Sequence, residues 1–344
     1  MIRVGVVGVG KMGLLHSAMV RRLPDADLVG VMDNNIGLKP LLRSMGLSVP
    51  FYTSLDSLIE GSRPDALFVC TPHSTHLPIA RQGLSRGMHL FIEKPLADSI
   101  EASRELLEIG RSVDPVCMVG YTFAYLPIVR RAKEILESGE IGSVRHVEAS
   151  MVISQVLSAK KGWRYDPSQS GGGVLMNVAS HLAYLLYDFF GPARSVTATL
   201  RRIHSTKVED EVEALIDFEG VQARLNSSWS VPGHPASHFQ VKIEGALGSL
   251  HLTNERVRWT ASRAGGEQVE YAAGLGAGVG FDLGGDGFYG EGYYLEDQDF
   301  LASIAGRRRP RVGLEAGFHV QEILDAIYRS GSRNAPVSLE AIPS

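Results

Sequence analysis

Three groups of residues in this 344-residue chain have types and spacings suited to chemistry. The first is Phe91-Ile92-Glu93-Lys94-Pro95. The apolar run 88–92 reads as a buried parallel strand, so a Glu-Lys pair stands at a strand's carboxyl end, where open α/β sheets bind their ligands. Glu93 favours the charged form of Lys94 while desolvation pulls the lysine pKa down; such an ammonium suits hydrogen-bond donation to a substrate oxygen or acid/base work. Pro95 has no amide proton and ends the strand. The second group is Gly8-Val9-Gly10-Lys11-Met12-Gly13, between a β-branched run and an apolar-periodic stretch at 14–23. Strand, glycine turn and helix in that order make a phosphate cradle. Gly8 permits the tight turn, Gly10 lets a pyrophosphate approach the backbone, and Gly13 lets helix pack on strand. The third group is Trp163-Arg164-Tyr165-Asp166, the triple glycine 171–173, and Asn177 with His181, four residues apart on one predicted helix face. A histidine on an apolar helix is ordinarily a satisfied core residue. The glycine turn, the polar partner one turn earlier and the Trp-Arg pair single out His181 as functional.

The elements that must position these groups follow from the pattern. A strand at 28–32 ends at Asp33, an acid about 20 residues past the glycine turn, where a carboxylate bonds adenosine ribose hydroxyls. Asp33 would repel a 2′-phosphate, and Asn34 and Asn35 bring no arginine to neutralise one, which favours NAD with NADP as the alternative. A strand at 66–70 leads into Thr71-Pro72-His73-Ser74-Thr75-His76, so that Thr71 and His76 either lie along the cofactor or, for His76, cap the helix at 77–86. A helix at 99–109 and a strand at 116–119 complete a doubly wound parallel sheet that closes near Gly120. Beyond a helix at 127–138, strands at 144–151, 195–203, 212–218, 221–229, 239–244 and 249–252 follow with few intervening helices. They predict a large open, mostly antiparallel sheet. Such a sheet has one face for helices and one for a second subunit, so an oligomer is expected. Expected domains are 1–121 and 122–344. Helices at 174–190, 294–305 and 314–330 are expected. The glycine-rich stretch 274–292 reads equally as a surface loop, a lid or an interface arm.

Composition narrows the class. The chain is 44% hydrophobic and 21% charged with net charge −4, the balance of an ordinary globular protein without the basic field that nucleic acid or anionic lipid requires. The cluster Arg307-Arg308-Arg309 with Arg311 reads as a solvated loop. Two cysteines, Cys70 and Cys117, each inside an apolar run, fit small buried thiols in a reducing compartment and point to neither a disulfide framework nor a metal site. The first residues enter a strand without a basic or apolar leader, and the helix at 174–190 is interrupted by Asn177, His181 and Asp188, so a cytoplasmic location is expected.

These motifs together resemble the Gfo/Idh/MocA oxidoreductases, the family of glucose-fructose oxidoreductase and inositol dehydrogenase. The likeness runs almost end to end: Gly8 to Gly13, Thr71-Pro72 with His76, Glu93-Lys94-Pro95, Ser138-Gly139-Glu140-Ile141-Gly142, Trp163-Arg164, Gly171-Gly172-Gly173 with His181, and the helix containing Glu296. The resemblance implies a Rossmann domain joined to an α/β domain whose open sheet forms a homodimer or homotetramer. It implies hydride transfer between NAD(P) and a secondary hydroxyl or ketone of a sugar, amino sugar, nucleotide sugar or cyclitol. Gly8, Gly10, Lys11, Met12, Gly13, Asp33, Thr71, Pro72, His76, Glu93 and Lys94 would then hold the cofactor, Glu93 at the nicotinamide ribose. Lys94 would polarise the reacting oxygen and His181 would be the acid/base. Asn177, Trp163, Arg164 and Tyr121 would bind substrate. Two departures stand out: Asn177 occupies a position where aspartate is common, and Gly120-Tyr121-Thr122-Phe123 looks more like members acting on nucleotide-linked or amino sugars. A non-catalytic NAD-binding sensor and an NAD-dependent glycosidase are the alternatives within the resemblance.

Overall fold

The computed structural model describes residues 1–261, 266–271 and 290–339. The chain divides into two compact units, one of Met1–Thr122 with Tyr293–Phe318 and one of Phe123–Gly292 with His319–Ser344.

The first unit holds a sheet of β1 (Ile2–Val7), β2 (Ala26–Met32), β3 (Phe51–Tyr52), β4 (Ala66–Val69), β5 (His89–Glu93) and β6 (Cys117–Gly120), in the order β3-β2-β1-β4-β5-β6. Every pairing is parallel. Apolar residues without alternation are what such strands need, because helices cover both faces; all four residues of β4 are buried. Phe68 and Phe91 stack with ring centroids 4.6 Å apart, and Phe300, on the helix Gly290–Gly306, meets them edge-on at 5.3 and 5.8 Å. The parallel arrangement brings Gly8, Thr71, Lys94 and Tyr121 to one edge, each just past the end of its strand.

The second unit holds a nine-stranded sheet. Its strands are β7 (Val144–Val152), β8 (Ser195–Arg201), β9 (Glu211–Phe218), β10 (Val221–Ser228), β11 (His238–Gly245), β12 (Gly248–Thr253), β13 (Arg256–Ala261), β14 (Glu267–Tyr271) and β15 (Val337–Ser338), in the order β14-β13-β12-β11-β7-β10-β9-β8-β15. Only the β7–β10 pairing is parallel. Period-two alternation buries Val147, Ala149, Ala223, Leu225, Val241 and Ile243 on one face, where the helix Ser180–Phe190 packs over β7 and β10. Lys242, Glu148 and Arg224 stand in register on three neighbouring strands and are exposed on the other face. The parallel sheet and the large, mostly antiparallel sheet expected from the pattern are the sheets observed, with β13, β14 and β15 added to the strands read from sequence.

The expected single helix at 174–190 begins instead as a π-helix, Leu175–Ala179, before continuing as α-helix. Two side chains bond carbonyls around this stretch: Asn177 Nδ2 donates to the Gly173 carbonyl at 2.9 Å, and the Ser180 hydroxyl donates to the Met176 carbonyl at 2.8 Å. The Gly173 carbonyl also keeps its backbone bond from the Asn177 amide, at 3.1 Å. Residues 274–289 of the glycine-rich stretch lie outside the described residues. Among the described residues no helix is long and apolar enough to cross a membrane.

Candidate active site

In the first unit the glycine turn is built as its residue types require. Gly8 has φ +91°, and a Cβ there would meet the Cys70 carbonyl oxygen at 2.6 Å; a Cβ on Gly13 would meet the Gly8 carbonyl oxygen at 1.8 Å. Around Gly10 nothing lies within 4 Å of the Cβ position, and no side chain caps the helix Lys11–Val20 that starts there. Backbone amides of a helix start beside open space, with Lys11 and Met12 in the first turn, suit an anionic phosphate group. Asp33 braces the turn: its carboxylate accepts from the Val9 amide at 2.8 Å and from the Asn35 amide at 2.8 Å.

Thr71 and Pro72 follow β4 at the same edge. The Thr75 hydroxyl donates to the Thr71 hydroxyl at 2.7 Å. His76 is fully buried, its ring nitrogens 3.0 Å from the Thr71 carbonyl and 3.2 Å from the Leu96 carbonyl, so it joins the Thr71 turn to the loop after Lys94. Burial pulls its pKa below the ordinary value.

Glu93 ends β5, and one of its oxygens accepts from the Lys94 amide at 3.1 Å. The Lys94–Pro95 peptide is cis, and Lys94 is half-buried. The other Glu93 oxygen lies 2.9 Å from His16 Nε2, while His16 Nδ1 lies 2.7 Å from Asp297. Next to Asp297 in sequence, Glu296 accepts from the Thr122 hydroxyl at 2.8 Å. His16, Glu296 and Asp297 are fully buried, and the ring of His16 packs against Phe91 at 4.9 Å. Burial alone would pull His16 down, but the charges and hydrogen bonds of Asp297 and Glu93 outweigh it and hold the imidazole well above its ordinary pKa. Burial, reinforced by the charge of Glu93, pushes Glu296 well up, and burial raises Asp297. Tyr121 is fully buried, which raises its phenol.

In the second unit the Trp163–Tyr165 turn carries Arg164, whose guanidinium lies 4.5 Å from the centre of the Trp163 ring. Asp166 caps the short helix Pro167–Ser170, and its pKa is lowered by donors on Gln169 and Ser168. After the triple glycine, Glu209 takes over. Its carboxylate accepts from the amides of Gly173 (2.9 Å) and Leu175 (3.0 Å) and from the Tyr328 hydroxyl (2.9 Å), and its own carbonyl accepts from the Val174 amide at 3.0 Å. One residue therefore satisfies three consecutive amides at the start of the helix that bears Asn177 and His181. A Cβ on Gly173 would lie 2.1 Å from the Glu209 carbonyl, so no larger residue fits. Burial raises the Glu209 pKa despite these donors. The neighbouring Asp210 accepts from the amides of Ile203, His204 and Ser205, the Ser205 hydroxyl and the Trp229 indole. Burial opposes its charge, but this donor set wins and its pKa lies below the ordinary value.

His181 and Asn177 are half-buried. The His181 imidazole stacks on Phe123 with centroids 4.6 Å apart and planes at 20°, and Phe123 in turn packs on Phe239 at 4.8 Å. Phe123, Glu209, His16, Glu296 and Asp297 were not singled out from sequence for this role. Phe123 sits beside the noted Tyr121; the Glu209-Asp210 pair just before a strand and the lone histidine in an apolar helix were the available signals.

Comparison with known proteins agrees with this architecture. Residues 2–121 match the model of the oxidoreductase family with NAD-binding Rossmann fold, and residues 129–251 match the GFO/IDH/MocA C-terminal domain. The glucose-6-phosphate 3-dehydrogenase of Bacillus subtilis (strain 168) is 23% identical over 99% of this chain and 100% of its own. A levoglucosan dehydrogenase solved in complex with NADH superposes with TM-score 0.90 at 23% identity, covering 99% of this chain and 100% of its own. GenD2 from gentamicin A biosynthesis, solved in complex with NAD, superposes with TM-score 0.84 at 26% identity, covering 99% and 97%.

Proposed function

Because the chain belongs to the Gfo/Idh/MocA oxidoreductases, we propose that it uses NAD to oxidise a secondary hydroxyl of a sugar-like substrate, or reduces the ketone in the reverse direction. The glycine turn carries this reading, with its uncapped helix start, open Gly10 and carboxylate-braced backbone. Gly8, Gly10, Lys11, Met12, Gly13, Thr71 and Pro72 would hold the dinucleotide, with Asp33 at the adenosine ribose and Glu93 at the nicotinamide ribose. His76 supports the Thr71 turn from behind. Bound NAD supplies the hydride acceptor. An alcohol carbon then loses a hydride and its oxygen a proton, so alcohol plus NAD gives ketone, NADH and a proton.

The protein's part is to place the carbinol and to manage that proton. Lys94 would donate to the carbinol oxygen and stabilise developing alkoxide charge. His181, held flat by Phe123, would accept the proton. Asn177, Trp163, Arg164 and the Tyr121 segment would orient the sugar. Asp33 favours NAD over NADP by repelling a 2′-phosphate. We further propose a cytoplasmic homo-oligomer joined through the exposed sheet face, which light scattering after size-exclusion chromatography would test.

The decisive assay is NADH formation across inositols, hexoses, sugar phosphates, amino sugars and nucleotide sugars. Lys94→Met and His181→Ala are each expected to lower kcat by about 10²–10⁴-fold with NAD affinity retained. Full turnover in either variant would refute the assignment. NAD binding without turnover on any of these classes would favour a sensor.

A further inference from the structure

The His16 cluster lies outside the residues assigned to the reaction, yet it touches one of them. His16 is anchored on the first helix, Asp297 and Glu296 on the helix Gly290–Gly306, and Glu93 at the end of β5. A neutral imidazole has one N–H and can donate to only one carboxylate. Here both ring nitrogens face carboxylate oxygens, at 2.7 and 2.9 Å, so two protons must be shared among His16, Asp297 and Glu93. Histidine and two carboxylates are also a ligand set for a metal ion. With both imidazole nitrogens within hydrogen-bond distance of carboxylates, however, the geometry is that of shared protons. Glu93 is therefore fixed at both ends, one oxygen on His16 and the other on the Lys94 amide.

We propose that His16, backed by Asp297, is a positioning residue that sets the orientation of the Glu93 carboxylate, and through it the cofactor-facing end of β5. The inference rests on the reading that Glu93 meets the nicotinamide ribose. Around the imidazole stand Asp297 and Glu296 from the late helix, Glu93 from β5 and the Cys70 thiol from the end of β4, whose pKa burial and these carboxylates raise. The rings of Phe68, Phe91 and Tyr293 close the rest. A side chain so enclosed does not reach the cofactor itself, which makes its effect indirect.

A double-mutant cycle on NADH binding, read by the fluorescence of the reduced cofactor, tests this without any substrate. His16→Gln is expected to weaken NADH about tenfold, the worth of one hydrogen bond to a charged group, and Glu93→Gln by at least as much. The double variant should bind no more weakly than Glu93→Gln alone, because His16 acts through Glu93. Additive losses would mean that His16 supports the fold generally, and unchanged affinity in His16→Gln would mean that it supports nothing at the site; either overturns the proposal. If Glu93→Gln binds NADH normally, the cofactor role of Glu93 fails and this inference falls with it; if Glu93→Gln weakens binding and His16→Gln does not, only this inference fails. Should His16→Gln not fold, the nitrogen-15 shifts of the imidazole in the unmutated protein decide. Each His16 nitrogen is expected to carry a hydrogen bond, as donor to a carboxylate or as acceptor from a protonated carboxyl, and a shift of an unbonded imidazole nitrogen on the Glu93 side overturns the clamp.

Discussion

Each unit buries carboxylates beside the residues assigned to the reaction, and the two solve the cost of burial differently. In the first unit Glu93 and Asp297 face an imidazole, so side-chain protons supply the compensation. In the second, Glu209 and Asp210 face backbone amides, hydroxyls and an indole, so fixed dipoles supply it. Protons can leave as pH rises; amides cannot. The first device is therefore expected to weaken as pH rises, whereas Asp210 in the second weakens only as pH falls and its carboxylate takes up a proton, and experiments that separate the two directions test the contrast directly.

The largest effect is expected from Glu209→Ala. It strands the amides of Gly173 and Leu175 and the Tyr328 hydroxyl in a buried site, at a cost of about 3–5 kcal/mol in urea unfolding. A loss below about 1 kcal/mol would show that the helix start does not depend on this carboxylate. Asp210→Asn should follow at about 2–3 kcal/mol at neutral pH, since an amide nitrogen replaces one acceptor oxygen among five donors. Because the native pKa of Asp210 is depressed, its contribution is present above the unfolded value near 3.9 and is lost as pH falls through the native value. The variant should lack that acid limb.

The first unit should show the opposite limb. His16 has a raised native pKa, so its stabilisation is full below the unfolded value near 6.5 and is lost as pH rises through the native value. The raised Glu296 and Asp297 act in the same direction. Stability should fall on the alkaline side by up to about 1.4 kcal/mol per pH unit for each proton released. Asp297→Asn should move the His16 part of that limb to lower pH, and an unaltered alkaline profile in this variant would contradict the shared-proton arrangement. The smallest effect is expected from Asn177→Asp. It removes the donor to the Gly173 carbonyl and costs about 1 kcal/mol. It should also fail to raise turnover, because a carboxylate cannot donate to that carbonyl and must rotate away. A gain in kcat would show that Asn177 is a lost catalytic group and not a structural one.

Much of the cofactor side was legible because its parts are local in sequence. A glycine turn requires φ and close approach that only glycine offers, and Gly8 and Gly13 show both. Apolar runs without alternation announced the parallel sheet, and alternation announced the open one. Asn177 and His181 were visible as a pair, but the π-helix beneath them was not, because one turn of wider winding leaves the apolar pattern of 174–190 without a mark of its own.

The sequence by itself determined the sheet types, the glycine cradle, and the placement of Lys94 at a strand's carboxyl end, since each follows from contacts within a few residues or from periodicity. Tertiary structure alone decided that His16 meets a carboxylate 281 positions away, that Glu209 caps a helix 34–36 residues before it, and that Phe123 carries the imidazole of His181. Those partners are chosen by burial: a charge or donor shut away from water must be satisfied by whatever group the folded chain brings to it, however distant in sequence.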